Sequence, residues 1–266
     1  MNTIRRTLDT FTSRMYKVTD QQLDIPWAWN EYKGEGIRFA YFRIYEELRS
    51  AAARVSRSQS MVERILAQNN LAYWDLRATL LGLPDDLLDK TPAPNEWSPR
   101  QIIKHVAEVE WGFFGCLRFF LEKPEEFRRI PKEFFDDHYA NYGNFRTDSF
   151  SGSLSSMLDF FEIVHYQVLT DLETMPEVYL ADRCYYWEEE PQSIEFRLHR
   201  FHSHLRQHTI QMAKTLPVIG YQPNESCRLL GMIDQAYAEL EGKYIGCPQF
   251  FPEVNLEPYT AVKDLL

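Results

Sequence analysis

Three of the chain's seven histidines, His202, His204 and His208, fall within seven positions of RFHSHLRQHTIQMAKTL, residues 201–217. Imidazole ligates divalent metals as a neutral base and exchanges protons near neutral pH, so the direction in which each ring points decides what this stretch can do. An α-helix turns about 100° per residue. On a helix through this segment Ile194, Leu198, Phe201, Leu205, Met212 and Leu216 form one apolar stripe. His204 and His208 lie in or at the edge of that stripe, one turn apart. His202 lies well to the side and His199 almost opposite.

A second helix offers one more inward ring. In EWSPRQIIKHVAEVEWGFF the stripe is Ile102, Val106, Val109, Phe113, Leu117 and Phe120, and His105 sits at its edge. An HxxxH pair on one helix and a histidine from another can supply three neutral imidazoles to one divalent ion, such as zinc, nickel or iron. Coordination positions are then left for water or a substrate. Three imidazoles buried without partners would be costly. The competing account is three ordinary core histidines, because an HxxxH spacing alone selects nothing.

Other side chains fall near the expected site. His165 lies on the inward face of a third helix with Phe161, Val168 and Leu172, as a neighbour of the ligands, a substitute ligand or a hydrogen-bonded core residue. Gln211, one turn past His208, can bond a ligand ring or a metal-bound water, or sit as an amide at the helix edge. Glu108 can orient a ligand, act as a base or face solvent. Arg197, two turns before His204, can grip a substrate carboxylate or pair with a carboxylate of the bundle. Tyr185, Tyr186 and Trp187 with Glu188–Glu190 read either as a lid or as packing for a further helix. Cys116 faces inward as a small core residue. No residue stands out as the general base.

The elements that must position these residues are helical nearly throughout, and no alternating run is long enough to build a sheet. A helical hairpin is expected within residues 1–56. Its second arm carries Ile37, Tyr41, Ile44, Leu48, Ala52 and Val55 on one stripe, and the segment LDIPWAWNEYKGEG before it reads as a loop holding Trp27 and Trp29. Ser60 and Glu63 form a capping box opening a helix from about Met61 to Gly82. Ser98, Pro99 and Gln101 open the next, which should run to about Glu122 and stop before Pro124. A long connection over 124–150 follows, with turn signals at NYGN, then a core helix over roughly Gly152–Thr174. The irregular acidic stretch RCYYWEEEPQ leads into the histidine helix, about Ser193–Leu216. GYQPNES is a break, residues 225–243 suggest a short helix, and the remainder is a Pro- and aromatic-rich tail.

Composition narrows the function classes. The chain is 44% hydrophobic and 26% charged, as in ordinary globular proteins. A net charge of −10 opposes general binding to a phosphate backbone. No stretch is apolar over the ~18–20 residues that a bilayer crossing needs, and the first residues lack the apolar core of a secretory signal. Cys116, Cys184, Cys227 and Cys247 are scattered, form no CxxC and read as reduced thiols of a cytoplasmic protein.

The stretch LLGLPDDLLDKTPAPNEWSPRQIIKHVAEVE, followed about a hundred residues later by HLRQHTIQMAKTL, resembles the DinB-like superfamily. There, a tryptophan-serine pair opens the second helix, which carries a metal-binding histidine, and the last helix carries an HxxxH pair followed by Gln or Asn. Those features map to Trp97 and Ser98, His105, and His204 and His208 with Gln211. The resemblance covers about residues 60–218. It departs after the last histidine, where many members have Arg-Gly-Gln and this chain has Thr209, Ile210 and Gln211.

The resemblance implies an all-α, up-down-down-up four-helix bundle holding a divalent ion at the histidine triad. It also implies kinship with transferases and isomerases that use low-molecular-weight thiols such as bacillithiol or mycothiol. The expected organisation is an N-terminal helical extension over 1–58, the bundle over 59–245 and a tail over 246–266. The expected function is a metal-dependent transferase or hydrolase acting on a small molecule with such a thiol. The alternatives are a non-enzymatic or stress-related metal-binding bundle, or a helical scaffold that binds nothing. Neither nucleic acid nor membrane is an expected partner, and a homodimer is compatible with the sequence.

Overall fold

The structure, a computed structural model, describes residues 3–122, 130–143, 150–186 and 188–263. Four long helices form the bundle: α3 (Met61–Thr79), α4 (Pro99–Glu122), α6 (Leu154–Leu172) and α7 (Ile194–Val218). Side-chain contacts give their directions. Arg100 meets Met157 near the start of both α4 and α6, and Glu110 meets His165 further along both, so these two helices run parallel. Arg77 and Asn70 of α3 meet Glu162 and His165 of α6 in reverse order. On α7, His204 packs against both His105 and Phe113 of α4, while Phe201 reaches Phe113 only from the earlier turn, which makes α7 antiparallel to α4. The order is up, down, down, up.

The starts of these helices follow from local chemistry. The Ser60 side chain accepts from the Glu63 N–H, and the Glu63 carboxylate accepts from the Ser60 N–H at 2.7 Å. Ser98 and Gln101 make the same reciprocal pair. Ser153 and Ser193 cap α6 and α7, each satisfying a backbone donor that the first helical turn leaves without a partner.

A second layer covers α3. Helix α8 (Glu225–Gly242) runs antiparallel to it, and α2 (Arg38–Ala53) lies along α8, with Tyr41 Oη 2.6 Å from Ser226 Oγ and Arg38 paired to Glu225. Helix α8 occupies the stretch expected to be helical over 225–243, and at 18 residues it runs along α3. The first arm of the N-terminal hairpin is α1 (Thr3–Met15), which sends Arg5 between Trp74, Glu162 and Tyr166.

Three expectations for the connections need correction. The segment read as a loop around Trp27 is a β-hairpin of β1 (Pro26–Trp29) and β2 (Tyr32–Gly36), turning at Asn30 with φ 53°. Trp27 is buried there beside Trp29. A two-residue ladder, β3 (Arg183–Cys184) with β4 (Gln192–Ser193), lies within the acidic stretch. The connection over 124–150 contains α5 (Lys132–Gly143), which runs through the expected turn NYGN as far as Gly143. Pro124 and Asn144 lie outside the described residues. Helix α5 docks where α4 is thinnest: a Cβ on Gly115 would stand 2.6 Å from the His138 ring, and one on Gly112 would meet Tyr139 Oη at 2.4 Å. The tail also contains a short helix, α9 (Glu257–Lys263).

The core divides into two apolar clusters with polar side chains between them. The Glu110 Oε1 atom accepts from Asn69 Nδ2 at 3.1 Å and meets His165 Nδ1 at 2.8 Å. His165 Nε2 meets Asn70 Oδ1 at 3.2 Å, and Asn70 Nδ2 donates to Glu241 at 3.0 Å. Glu241 also accepts from Trp74, Tyr166 and Tyr237. The imidazole of His165 stacks on Tyr73 with centroids 4.0 Å apart. Both ring nitrogens of His165 and Glu110 Oε1 are bonded in this layer, whereas Glu110 Oε2 and Asn69 Oδ1 are buried without a hydrogen-bond partner among the described residues.

Candidate metal centre

His105 comes from the second turn of α4, and His204 and His208 from the middle of α7, one above the other. Antiparallel packing brings the three rings together. His204 Nε2 is 3.2 Å from His105 Nε2 and 3.1 Å from His208 Nε2. Candidate ligand atoms of the three residues lie within 4.8 Å of one another, a grouping of metal-ligating type among the described residues. Two nitrogens held about 2.05 Å from a tetrahedral ion stand about 3.3 Å apart, so the two spacings to His204 are compatible with a shared ion.

Tautomers support the same geometry. Gln211 turns its amide oxygen to His208 Nδ1 at 2.8 Å. That contact makes Nδ1 the protonated nitrogen and leaves the Nε2 lone pair facing the other two rings. Burial, with His208 and His105 close by, pushes His204 down to about 3. Burial also lowers His105 and His208, His105 further through His208. All three are therefore held as neutral bases, the form that ligates.

Aromatic side chains wall the centre. Trp97 lies edge-on to His105 with centroids 4.7 Å apart and stacks on His208 at 5.9 Å. Phe113 presents its edge to His204 at 5.8 Å. Trp97 is 37% exposed and His105 half-buried, so the centre has one face toward solvent. The sequence marked Trp97 only as half of the tryptophan-serine pair that opens the helix. Its function as the outer wall had no signal in helical periodicity, because it precedes the helix.

The other expected residues fall in different places. His165 is wholly buried in the Glu110–Asn70 layer and is not grouped with the triad. Glu108 pairs with Lys104 at 3.8 Å on the flank of α4. Arg197 is buried, donating to Glu188 at 2.6 Å and to the Cys184 carbonyl at 3.3 Å. His199 and His202 face each other on the side of α7, with Nδ1 and Nε2 2.9 Å apart. Tyr186 packs on Phe113 at 5.9 Å, while Trp187 lies outside the described residues. Two cavities, of about 600 and 880 Å³, open between α3, α7 and α8 and between α1, α3 and α6, and no triad histidine lines either.

The fold and this centre define a class: a four-helix bundle with three converging imidazoles shared between two antiparallel helices. A model of the DinB superfamily matches residues 68–212, and the chain belongs to that superfamily. The matched stretch holds all three histidines and Gln211. No curated protein and no solved structure matches the chain. Among the described residues no helix is long and apolar enough to cross a membrane.

Proposed function

We propose that the protein is a cytoplasmic, metal-dependent enzyme that joins a low-molecular-weight thiol to, or uses it to cleave, a small electrophilic substrate. The observation that carries this reading is the convergence of three Nε2 atoms at 3.1 and 3.2 Å, with Gln211 fixing the His208 tautomer. His105, His204 and His208 would hold a divalent ion, which when bound lowers the pKa of a thiol and keeps it as a thiolate. Gln211 orients the His208 ring, and Phe113 and Trp97 shield the ligand nitrogens from competing water. The half-buried side at His105 and Trp97 is where thiol and substrate would enter.

A second reading has its own support: the three rings come from two different helices, which one ion would tie together. On that reading the ion joins α4 to α7 in a non-enzymatic, stress-related bundle. One experiment separates them. Metal content and melting temperature are measured for the wild type, the three single His→Ala variants and the His204→Ala/His208→Ala double variant, with and without a millimolar monothiol. A shared ion predicts near-complete metal loss in each single variant and little further loss in the double. A thiol-induced shift in the metal-loaded wild type alone supports the enzyme. Bound metal with no thiol response supports the structural reading, and small additive losses with no metal sink both.

A further inference from the structure

The four cysteines are far apart in sequence, yet two of them meet. Cys116 Sγ on α4 lies 3.7 Å from Cys184 Sγ on β3, in the buried core where the segment before α7 packs on the bundle. Two sulfurs at that separation are in van der Waals contact, and a disulfide needs them at about 2.05 Å. The closing movement is therefore less than 2 Å.

The two partners are unequal in ways that suit stepwise oxidation. Cys116 sits in the middle of a long helix, 1% exposed, with its thiol directed at the Tyr185 carbonyl at 3.5 Å. Cys184 is 7% exposed, on a two-residue strand followed by a stretch with no helix or strand among its described residues until Gln192. One sulfur sits on the middle of a long helix, the other at the end of a two-residue strand. Arg197 places its guanidinium on the Cys184 carbonyl, bringing a buried positive charge beside that cysteine. A hydrogen bond from Cys116 and the charge of Arg197 lower the Cys184 thiol, whereas Cys116 is raised by its contact with Cys184 and by burial. Nucleophilicity toward peroxides belongs to the thiolate.

We propose that Cys116 and Cys184 form a redox-active dithiol that hydrogen peroxide converts to an intramolecular disulfide. The Cys184 thiolate attacks one peroxide oxygen, the O–O bond breaks, and the released hydroxide takes a proton to leave as water. Cys184 is then a sulfenic acid. Cys116 attacks that sulfur, the S–O bond breaks, and a second water departs with the Cys116 proton. Each sulfur gives up one electron, the peroxide takes both, and the bond ties β3 to α4. Tyr186, two residues past Cys184, packs on Phe113, which lines the histidine centre. Oxidation would thus hold that aromatic wall against the bundle.

The test uses the full-length wild type, freed of reductant, treated with stoichiometric hydrogen peroxide, then alkylated in denaturant and mapped by mass spectrometry. The expected result is loss of two of the four alkylatable thiols, a cross-linked peptide containing Cys116 and Cys184, and full reversal by dithiothreitol. Cys227 and Cys247 should remain alkylatable throughout. The oxidised form should melt roughly 5 °C or more above the reduced form, because the bond closes a long loop. In Cys116→Ser, a sulfenic-acid trap should label Cys184. Four alkylatable thiols after peroxide, or sulfinic acid without a cross-link, would overturn the proposal. The Cys116→Ser/Cys184→Ser variant should keep the metal content of the wild type, so the result stands apart from the fate of the triad reading.

Discussion

Stripping metal from the protein and lowering the pH from 7.5 to 5 isolates the energetic consequence of burying His204. An unfolded histidine titrates near 6.5, and in the fold His204 is pushed down to about 3. At pH 5 the unfolded chain therefore carries a proton at this residue and the folded chain does not. Stability contributed by a group with a depressed folded value is lost as pH falls below the unfolded one. The difference of 1.5 pH units between 6.5 and 5 corresponds to about 2 kcal/mol from His204 alone. The figure holds for any folded value below about 4, so it does not depend on the depth of the shift. The assay is urea unfolding of chelator-treated wild type and His204→Gln at both pH values. The wild type should lose about 2 kcal/mol more than the variant between them. Equal losses in the two proteins would mean that His204 is protonated in the fold at pH 5, and the account of three neutral inward rings would fail.

Replacing Gln211 by Leu removes the oxygen that holds His208 Nδ1 and should weaken metal binding by roughly 10- to 100-fold while His204→Ala abolishes it, read by competition with a chromogenic chelator. Burial pushes Asp234 up to about 7; the folded chain keeps a proton that the unfolded chain gives up near 4, so stability falls as pH rises between those values. Asp234→Asn should therefore stabilise the protein at pH 8 by on the order of 1–4 kcal/mol and change little at pH 4, and equal stability of variant and wild type at pH 8 would contradict it. Glu110→Ala leaves buried His165 Nδ1 without its partner and should cost about 1–3 kcal/mol in chemical denaturation.

The main bundle was legible because its signals are local. Ser60 with Glu63 and Ser98 with Gln101 announce helix starts within four residues, and the stripes through Ile102 and Ile194 fix which side faces inward. The facing of His105, His204 and His208 follows from the same arithmetic. Helix α5 was hidden because KEFFDDHYANYG mixes Asp and Asn with its apolar residues, and only its docking against Gly112 and Gly115 makes Phe134, His138 and Tyr139 a packing face. The polar layer was hidden for another reason. Asn69, Asn70 and Glu110 carry no local motif, and only α3, α4, α6 and α8 together make them partners. The meeting of Cys116 with Cys184 likewise depends on a tertiary fold-back that no spacing encodes.

Glu241 collects donors from Asn70, Trp74, Tyr166 and Tyr237, and it lies 29 residues beyond the stretch that marks the superfamily. The part of the chain that identifies its ancestry is thus not the part that can be cut out and expected to stand. A fragment trimmed to residues 68–212 would keep every histidine of the triad and lose the carboxylate toward which Asn70, Trp74 and Tyr166 are directed. It would also bare the side of α3 that α8 now covers. A protein engineer seeking a minimal metal scaffold from this chain would have to carry α8 along, or redesign those three side chains as apolar ones in the same step.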